Sequence, residues 1–98
     1  MIEVRETVAF ASWFANLDDV RARSRVRVRL RRLSLGNSGD VRPVGSGVSE
    51  LRIDWGPGLR IYVVTRGKAL VILLGGGDKR TQARDIERVS ELALHLEE

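Results

Sequence analysis

Charged and polar side chains recur on one side of two consecutive β-type segments. In "SELRID", Glu50 and Arg52 share a face, and in "LRIYVVTR" Arg60 and Tyr62 share one, because successive residues of a strand point to opposite faces. The turn-forming string "DWGPG" between the segments predicts that they are neighbours. All four side chains would then meet on one polar face. They could form a structural ion pair between Glu50 and an arginine, worth about 0.2–1 kcal/mol, or they could bind a ligand.

A second group of chemically useful residues follows three glycines in "LLGGGDKRTQARDI". The glycines permit a tight turn or a close approach of another group to the backbone. They lead to Asp78, Lys79 and Arg80, and a helix is predicted to begin there. Basic residues beside a helix N-terminus suit a phosphate. The spacing of a Walker P-loop and that of a dinucleotide-binding fingerprint are both absent, and an ordinary surface loop fits the string as well.

The basic character of the chain is concentrated in "RARSRVRVRLRRL", residues 21–33, which has seven arginines and no acid. Outside this stretch ten basic and thirteen acidic residues leave a net charge of −3, although the whole chain has a net charge of +4. A local basic patch indicates a phosphate-bearing or acidic partner. Its apolar residues fit both strand and helix spacing, and the length of about residues 19–35 favours a helix. Its arginines are either a solvated face or a binding surface.

The aromatic residues and the single histidine offer few further sites. Trp55, in the predicted turn, could stack on a nucleobase or cover the hairpin, whereas Trp13 and Phe14 fit the core. His95 fits a surface or interhelical position. With one histidine and no cysteine, we expect neither a disulfide framework nor a metal site built from thiolates or histidines.

The elements that must position these residues follow from periodicity and turn chemistry. They are a first strand in "IEVRE", two helices, four short strands from residue 40 onward, and a final helix in "TQARDIERVSELALHLEE". The candidate N-caps are Thr7 for the first helix, Asp18 or Asp19 for the second, and Thr81 for the last. The predicted order is β-α-α-β-β-β-β-α, an α+β fold with helices packed on a mainly antiparallel sheet.

The length of 98 residues predicts a single domain spanning 1–98. The N-terminus carries two acids before any apolar run and does not resemble a signal peptide. No apolar stretch approaches the roughly 18 residues of a membrane span. We therefore expect a soluble cytoplasmic protein that does not associate with membranes.

Two spaced phrases, "LGNSGDVRPVGSGVSELRIDWGPGLRIYV" and "LLGGGDKRTQARDI", together resemble the RelE/ParE toxin superfamily, and in particular its HigB-like branch of addiction-module killer proteins. The specific strings are G-N-x-G-D, G-x-G-V-x-E-L-R, G-P-G-x-R-[IV]-Y and G-G-D-K-x-x-Q, in that order. The likeness covers nearly the whole chain. The family's compact fold, with two helices, an antiparallel sheet and a terminal helix, agrees with the predicted order of elements.

The resemblance implies a toxin of a type II toxin–antitoxin pair, most similar to ribosome-dependent mRNA endoribonucleases that need no cofactor. The implied partners are the ribosome, its mRNA and a cognate antitoxin with a helix-turn-helix domain, through which alone the toxin would reach operator DNA. Two alternatives stay open: a ParE-like toxin that inhibits DNA gyrase without cleaving RNA, and an inactive toxin that acts only as an operon co-repressor.

The resemblance also assigns roles by position. Arg52 matches the basic residue of the E-L-R strand, Arg60 the phosphate-binding arginine after G-P-G, and Lys79 the lysine of G-G-D-K. Beside the resemblance, Lys79 among clustered cations could act as acid or base, and Glu50, on the strand face of Arg52, is the other candidate base. The residues expected to contact RNA are Tyr62, Arg80, Gln82 and Trp55. The chain departs from the pattern at Leu59, where an aromatic is common, at Arg80, where a small polar residue is usual, and in lacking the C-terminal tyrosine of the RelE branch.

Overall fold

Three helices and one five-stranded sheet form an α+β fold in the computed structural model, which describes residues 1–96. The elements in chain order are β1 (Glu3–Glu6), α1 (Val8–Ala15), α2 (Val20–Ser34), β2 (Val41–Gly45), β3 (Val48–Ile53), β4 (Leu59–Arg66), β5 (Leu70–Asp78) and α3 (Gln82–Leu94), with a short 3-10 helix at Lys79–Thr81. The predicted order of elements is confirmed. The last two residues of the predicted terminal helix lie outside the described residues.

The sheet has the strand order β1-β5-β4-β3-β2. β1 runs parallel to β5, and the other neighbouring pairs are antiparallel, as the mainly antiparallel prediction requires. β4 lies in the centre, and its residues Leu59–Val64 are all buried. The apolar run of β5 at 71–74 is also buried throughout, so both of its faces are covered.

Each face of the sheet has its own apolar core. α1 and α2 cover one face, where Phe10 and Val26 pack against alternate residues of β3 and β4 such as Leu51 and Ile61. α3 covers the other face, where Val89 packs in the cluster that contains Tyr62. The period-2 sorting of strand side chains predicted from the sequence is therefore the one that the structure shows.

Two of the three predicted helix caps are formed by side chains. Thr7 Oγ1 accepts a hydrogen bond from the Phe10 amide at 3.2 Å, and Asp19 Oδ1 accepts one from the Arg21 amide at 2.9 Å. Thr81 lies at the predicted N-cap position of α3, but its hydroxyl caps no amide of that helix. The hydroxyl instead donates to the carboxylate of Asp85. The prediction was therefore right about the N-cap position and wrong about the hydrogen bond that the side chain makes there.

The arginine-rich stretch is a helix, as its length predicted, with Ala22, Val26 and Leu33 buried. The expectation that all of its arginines face outward was wrong for Arg29, which is 8% exposed. Arg29 follows Val26 by three residues and precedes Leu33 by four, so it shares their side of the helix. α2 consequently turns one arginine toward the sheet.

Within residues 1–96, no helix is both long and apolar enough to cross a membrane. In the same range, no three histidine, cysteine, aspartate or glutamate side chains are grouped so that they could hold a metal ion.

Candidate functional site

Glu50 is the centre of the polar face that the sequence predicted. The register of β3 against β4 sets Glu50 opposite Tyr62 and Arg52 opposite Arg60. The Glu50 side chain is 2% exposed, and its Oε2 accepts a hydrogen bond from Gln82 Nε2 at 2.7 Å. Arg60 Nε lies 3.5 Å from the same oxygen, and Arg52 Nε lies 3.9 Å from Oε1. The cross-strand ion pairing that spacing alone allowed is therefore present.

The Arg60 side chain is held inside this network. It is 5% exposed, and its Nη1 donates to the Gly58 carbonyl at 2.6 Å. Its Nε is buried and forms no hydrogen bond with the described residues. A buried guanidinium nitrogen without a hydrogen bond loses the stabilisation that water gave it. Arg60 thus lines the cleft, but its unused Nε donor is buried and lies toward the Glu50 carboxylate.

A cleft of about 530 Å³ brings together the three cations to which the resemblance assigned phosphate chemistry. Arg52, Arg60 and Lys79 all line it, beside the turn at 56–58. The Lys79 amide donates to the Pro57 carbonyl at 3.3 Å, which joins the end of β5 to that turn. Two antiparallel strands and the start of the 3-10 helix therefore hold three positive charges around one cavity, an arrangement that suits a phosphate.

Arg80 lies outside this cleft. Its Nη2 is 2.8 Å from Asp78 Oδ2, and its side chain is largely exposed. The hydrogen bond from Arg80 holds the pKa of Asp78 below its ordinary value, and the same bond raises the pKa of Arg80. Asp78 Oδ1 also accepts from the Arg80 amide. In this arrangement Arg80 stabilises the start of the 3-10 helix, and its predicted contact with RNA stays a prediction.

Tyr62 is 0% exposed, in the core beneath α3. Its hydroxyl makes no hydrogen bond with the described residues. Burial, followed by the neighbouring Glu50 charge, raises the pKa of the Tyr62 phenol. No part of this side chain reaches the surface in this conformation, so the structure gives no support to a nucleotide-positioning role for it.

The two remaining predicted RNA contacts are engaged within the protein. The Gln82 amide donates to Glu50. The Trp55 ring is half-buried, and the Arg25 guanidinium carbon lies 4.8 Å from its centroid. Such a cation–π contact is worth about 0.5–1 kcal/mol at an exposed site. Trp55 packs against the first core and also lines a small pocket with Arg21 and Ser24, which places it at the edge of the surface formed by α2.

The three consecutive glycines lie within β5 and do not form a turn, so the loop interpretation was wrong. A side chain on Gly76 would meet the Trp13 ring at 2.5 Å, and one on Gly77 would collide with the Asp85 carboxylate. The glycines admit α1 on one face and α3 on the other. The close approach of the two helices to the strand, which the sequence also allowed, explains why glycines stand here. They are a packing feature.

A second groove lies between α2 and β3, next to the cleft. The sequence did not predict it as a site. It has a volume of about 470 Å³, and Arg25, Arg29 and Arg32 of α2 line it. Asp40, Arg52, Ile53 and Asp54 line both cavities. The i, i+4 and i, i+3 spacing of the three arginines was visible in the sequence. The sequence did not show that this side of the helix faces β3.

Comparison with known proteins places the chain in a family without assigning an activity. No family model matches it. A protein of Haemophilus influenzae, described as an uncharacterized protein, is 44% identical to it over 95 residues, which are 97% of this chain and 96% of the relative. At this identity and coverage, the chain belongs to the same protein family as that relative.

Proposed function

We propose that this protein is the toxin of a type II toxin–antitoxin pair, with the RelE-like form of the α+β fold, and that it cleaves mRNA on the ribosome in the cytoplasm. The observation that carries the proposal is the meeting of Arg52, Arg60 and Lys79 in one cleft. These residues come from three separate strings of the family resemblance. Cations gathered from distant positions around one cavity suit the scissile phosphate of RNA.

The proposed reaction is attack of the ribose 2′-oxygen on the adjacent phosphorus. The 2′-OH loses its proton, the bond from phosphorus to the 5′-oxygen breaks, and that oxygen takes up a proton. Arg52 and Arg60 stabilise the charge that builds on the phosphate oxygens. Lys79, exposed at the rim, donates a proton to the 5′-oxygen as it leaves, and solvent or a ribosomal group takes the proton of the 2′-OH.

Glu50 takes a positioning role in this proposal in place of the role of base. Its carboxylate is buried, and Gln82, Arg60 and Arg52 surround it. It is absent from the lining of the cleft, so a 2′-OH bound there would not reach it. A fixed negative charge behind two arginines orients their guanidinium groups. A site with one proton-transfer group also fits a reaction in which the ribosome must hold the mRNA in the reactive geometry.

The partners of the proposal are the ribosome with its mRNA and a cognate antitoxin, with operator DNA reached only through the antitoxin. One observation favours the rival function, a gyrase-binding toxin without nuclease activity. The Arg60 guanidinium is buried and drawn toward Glu50 and Gly58, whereas a nuclease must offer it to phosphate. An inactive toxin that serves as co-repressor would show the same feature.

Primer extension on a reporter mRNA in a purified translation system tests the proposal. We expect new 5′ ends inside the open reading frame when the protein and ribosomes are both present, and none when either is omitted. Intact mRNA together with inhibition of DNA supercoiling by gyrase would replace the proposal with the gyrase function. Intact mRNA and unaffected supercoiling would leave the co-repressor.

A further inference from the structure

The groove between α2 and β3 continues the cleft across the surface. Four residues line both cavities, so the two adjoin on the surface. The two together are bordered by six cations and two carboxylates: Arg25, Arg29, Arg32, Arg52, Arg60 and Lys79, with Asp40 and Asp54. The surplus of positive charge makes the whole path attractive to a polyanion.

The Arg29 guanidinium is held in place within this groove. Its Nη2 donates to the Asp40 carbonyl at 3.0 Å and its Nε to the Arg52 carbonyl at 3.5 Å. A side chain on Gly39 would lie 3.0 Å from its guanidinium carbon. Backbone oxygens and a glycine thus hold the group, and among residues 1–96 no carboxylate accepts a hydrogen bond from it. Burial lowers the pKa of Arg29, with the Asp40 charge opposing that shift, so an anion in the groove would further stabilise this half-desolvated guanidinium.

The spacing along α2 fits a strand of phosphates. Arg25, Arg29 and Arg32 are separated by one helical turn each, so their Cβ atoms are about 5–6 Å apart along the groove. Val28, the residue off the main apolar stripe, lines the groove between them. At the far end Arg25 lies over Trp55. Proteins that follow single-stranded nucleic acid combine a cationic groove with aromatic platforms in this way.

We infer that the α2–β3 groove is a second binding site, for the phosphodiester backbone of single-stranded RNA that leaves the cleft. The inference rests on the proposed function for the identity of the nucleic acid as RNA. It assigns to Arg25, Arg29 and Arg32 the contacts with phosphates beyond the scissile one. An acidic peptide is the competing ligand, and continuity with the phosphate cleft favours RNA over it.

Binding of RNA strands of two lengths tests the groove. The probes are fluorescent 2′-O-methyl RNAs, which lack the attacking hydroxyl and are not cleaved: a trinucleotide, and a strand of about ten nucleotides, a length within the range of single-strand binding sites. Arg32→Gln removes a groove charge. Arg31→Gln is the matched control, since Arg31 is also in the last turn of α2 and exposed but lines neither cavity.

We expect the wild-type protein to bind the long strand more tightly than the trinucleotide. At about 0.1 M salt, Arg32→Gln should weaken binding of the long strand about fivefold and reduce the slope of log K against log salt by about 0.7, the values for one lost phosphate contact on a single strand. Binding of the trinucleotide, and all binding by Arg31→Gln, should be unchanged.

Three results would overturn the inference: equal effects of the two variants, no difference between the two lengths, or binding of oligoglutamate that depends on Arg32 when the RNA does not bind. Failure of the proposed function gives a different pattern. Groove-dependent binding without cuts in the translation assay would remove the nuclease and keep the groove. Cuts in that assay with equal behaviour of Arg31→Gln and Arg32→Gln would remove the groove and keep the nuclease.

Discussion

Gln82 Nε2 donates a hydrogen bond of 2.7 Å to Glu50 Oε2, and this contact joins α3 to β3. The two residues are 32 positions apart in the chain. Arg60 lies against the same carboxylate oxygen. The final helix is therefore connected through one buried carboxylate to an arginine of the candidate site.

Gln82→Leu tests this connection. The change removes the neutral donor of a buried carboxylate, and we expect a loss of about 1–3 kcal/mol in the free energy of unfolding. Urea denaturation measures it. In a Glu50→Gln background the same substitution should cost less, because the partner is uncharged. Equal costs in the two backgrounds would show that the hydrogen bond contributes nothing specific.

Tyr62→Phe tests whether Tyr62 acts on RNA. Its hydroxyl is buried and has no hydrogen-bond partner among residues 1–96, so removal should leave stability at neutral pH unchanged or increase it by up to about 1 kcal/mol. Toxicity should persist. Loss of toxicity in a stably folded Tyr62→Phe protein would restore the role that the family pattern suggested.

The same phenol predicts a dependence on alkaline pH. Its pKa is raised in the folded protein, so folding favours the protonated form. This contribution to stability is fully present below the unfolded pKa of about 10 and is lost as pH rises through the folded pKa. Wild type should therefore lose more stability above about pH 10 than Tyr62→Phe. Identical losses in thermal denaturation at rising pH would contradict the burial of this group.

The stability lost when each glycine of β5 is replaced by alanine should depend on what the added methyl group meets. Gly77→Ala and Gly76→Ala force a Cβ into Asp85 and Trp13 respectively, and we expect losses of about 1–3 kcal/mol or more. Gly75→Ala is the control in the same strand, because a Cβ at this position would lie 3.3 Å from the nearest atom, Val89 Cγ1. Its loss should be the smallest of the three. Equal losses would mean that strand conformation, and not the close approach of α1 and α3, requires the glycines.

Asp78 should stabilise the protein most while it is ionised. Its folded pKa is lowered, first by the hydrogen bond from Arg80, so its contribution is present above the unfolded pKa of about 4 and is lost as pH falls through the folded pKa. Asp78→Ala should cost about 0.5–2 kcal/mol at pH 7 through the lost cap, with a smaller gap in acid. Asp78→Asn should cost less, because asparagine also caps. A gap for Asp78→Ala that is constant from pH 7 to acid would contradict the ionised cap.

Much of the fold could be predicted from local pattern. Alternation in β3 and β4 sorted the core residues, and the turn between them fixed their pairing, which brought Glu50 beside Arg52 and Arg60. Thr7 and Asp19 were recognisable as caps because capping depends on adjacent residues.

The parts that could not be predicted depend on contacts between distant elements. Gln82 meets Glu50 only because α3 folds back over the sheet, and the glycines of β5 are explained by Trp13 and Asp85, which no local rule places there. Arg29 was misjudged because helix spacing identifies the side of a helix without identifying its neighbour.

The central claim is that the cations of the cleft act on mRNA, and primer extension on a reporter mRNA in a purified translation system tests it most directly. Lys79→Gln is the informative variant, since Lys79 is exposed and lines the cleft, whereas Arg60→Ala would also disturb the buried Glu50. Lys68→Gln, at an exposed lysine in the turn between β4 and β5, is the matched control. We predict ribosome-dependent cuts with wild type and Lys68→Gln, and at least tenfold fewer with Lys79→Gln, a loss of about 1.4 kcal/mol or more in transition-state stabilisation. Undiminished cutting by Lys79→Gln, or no cuts with the wild-type protein, would contradict the claim.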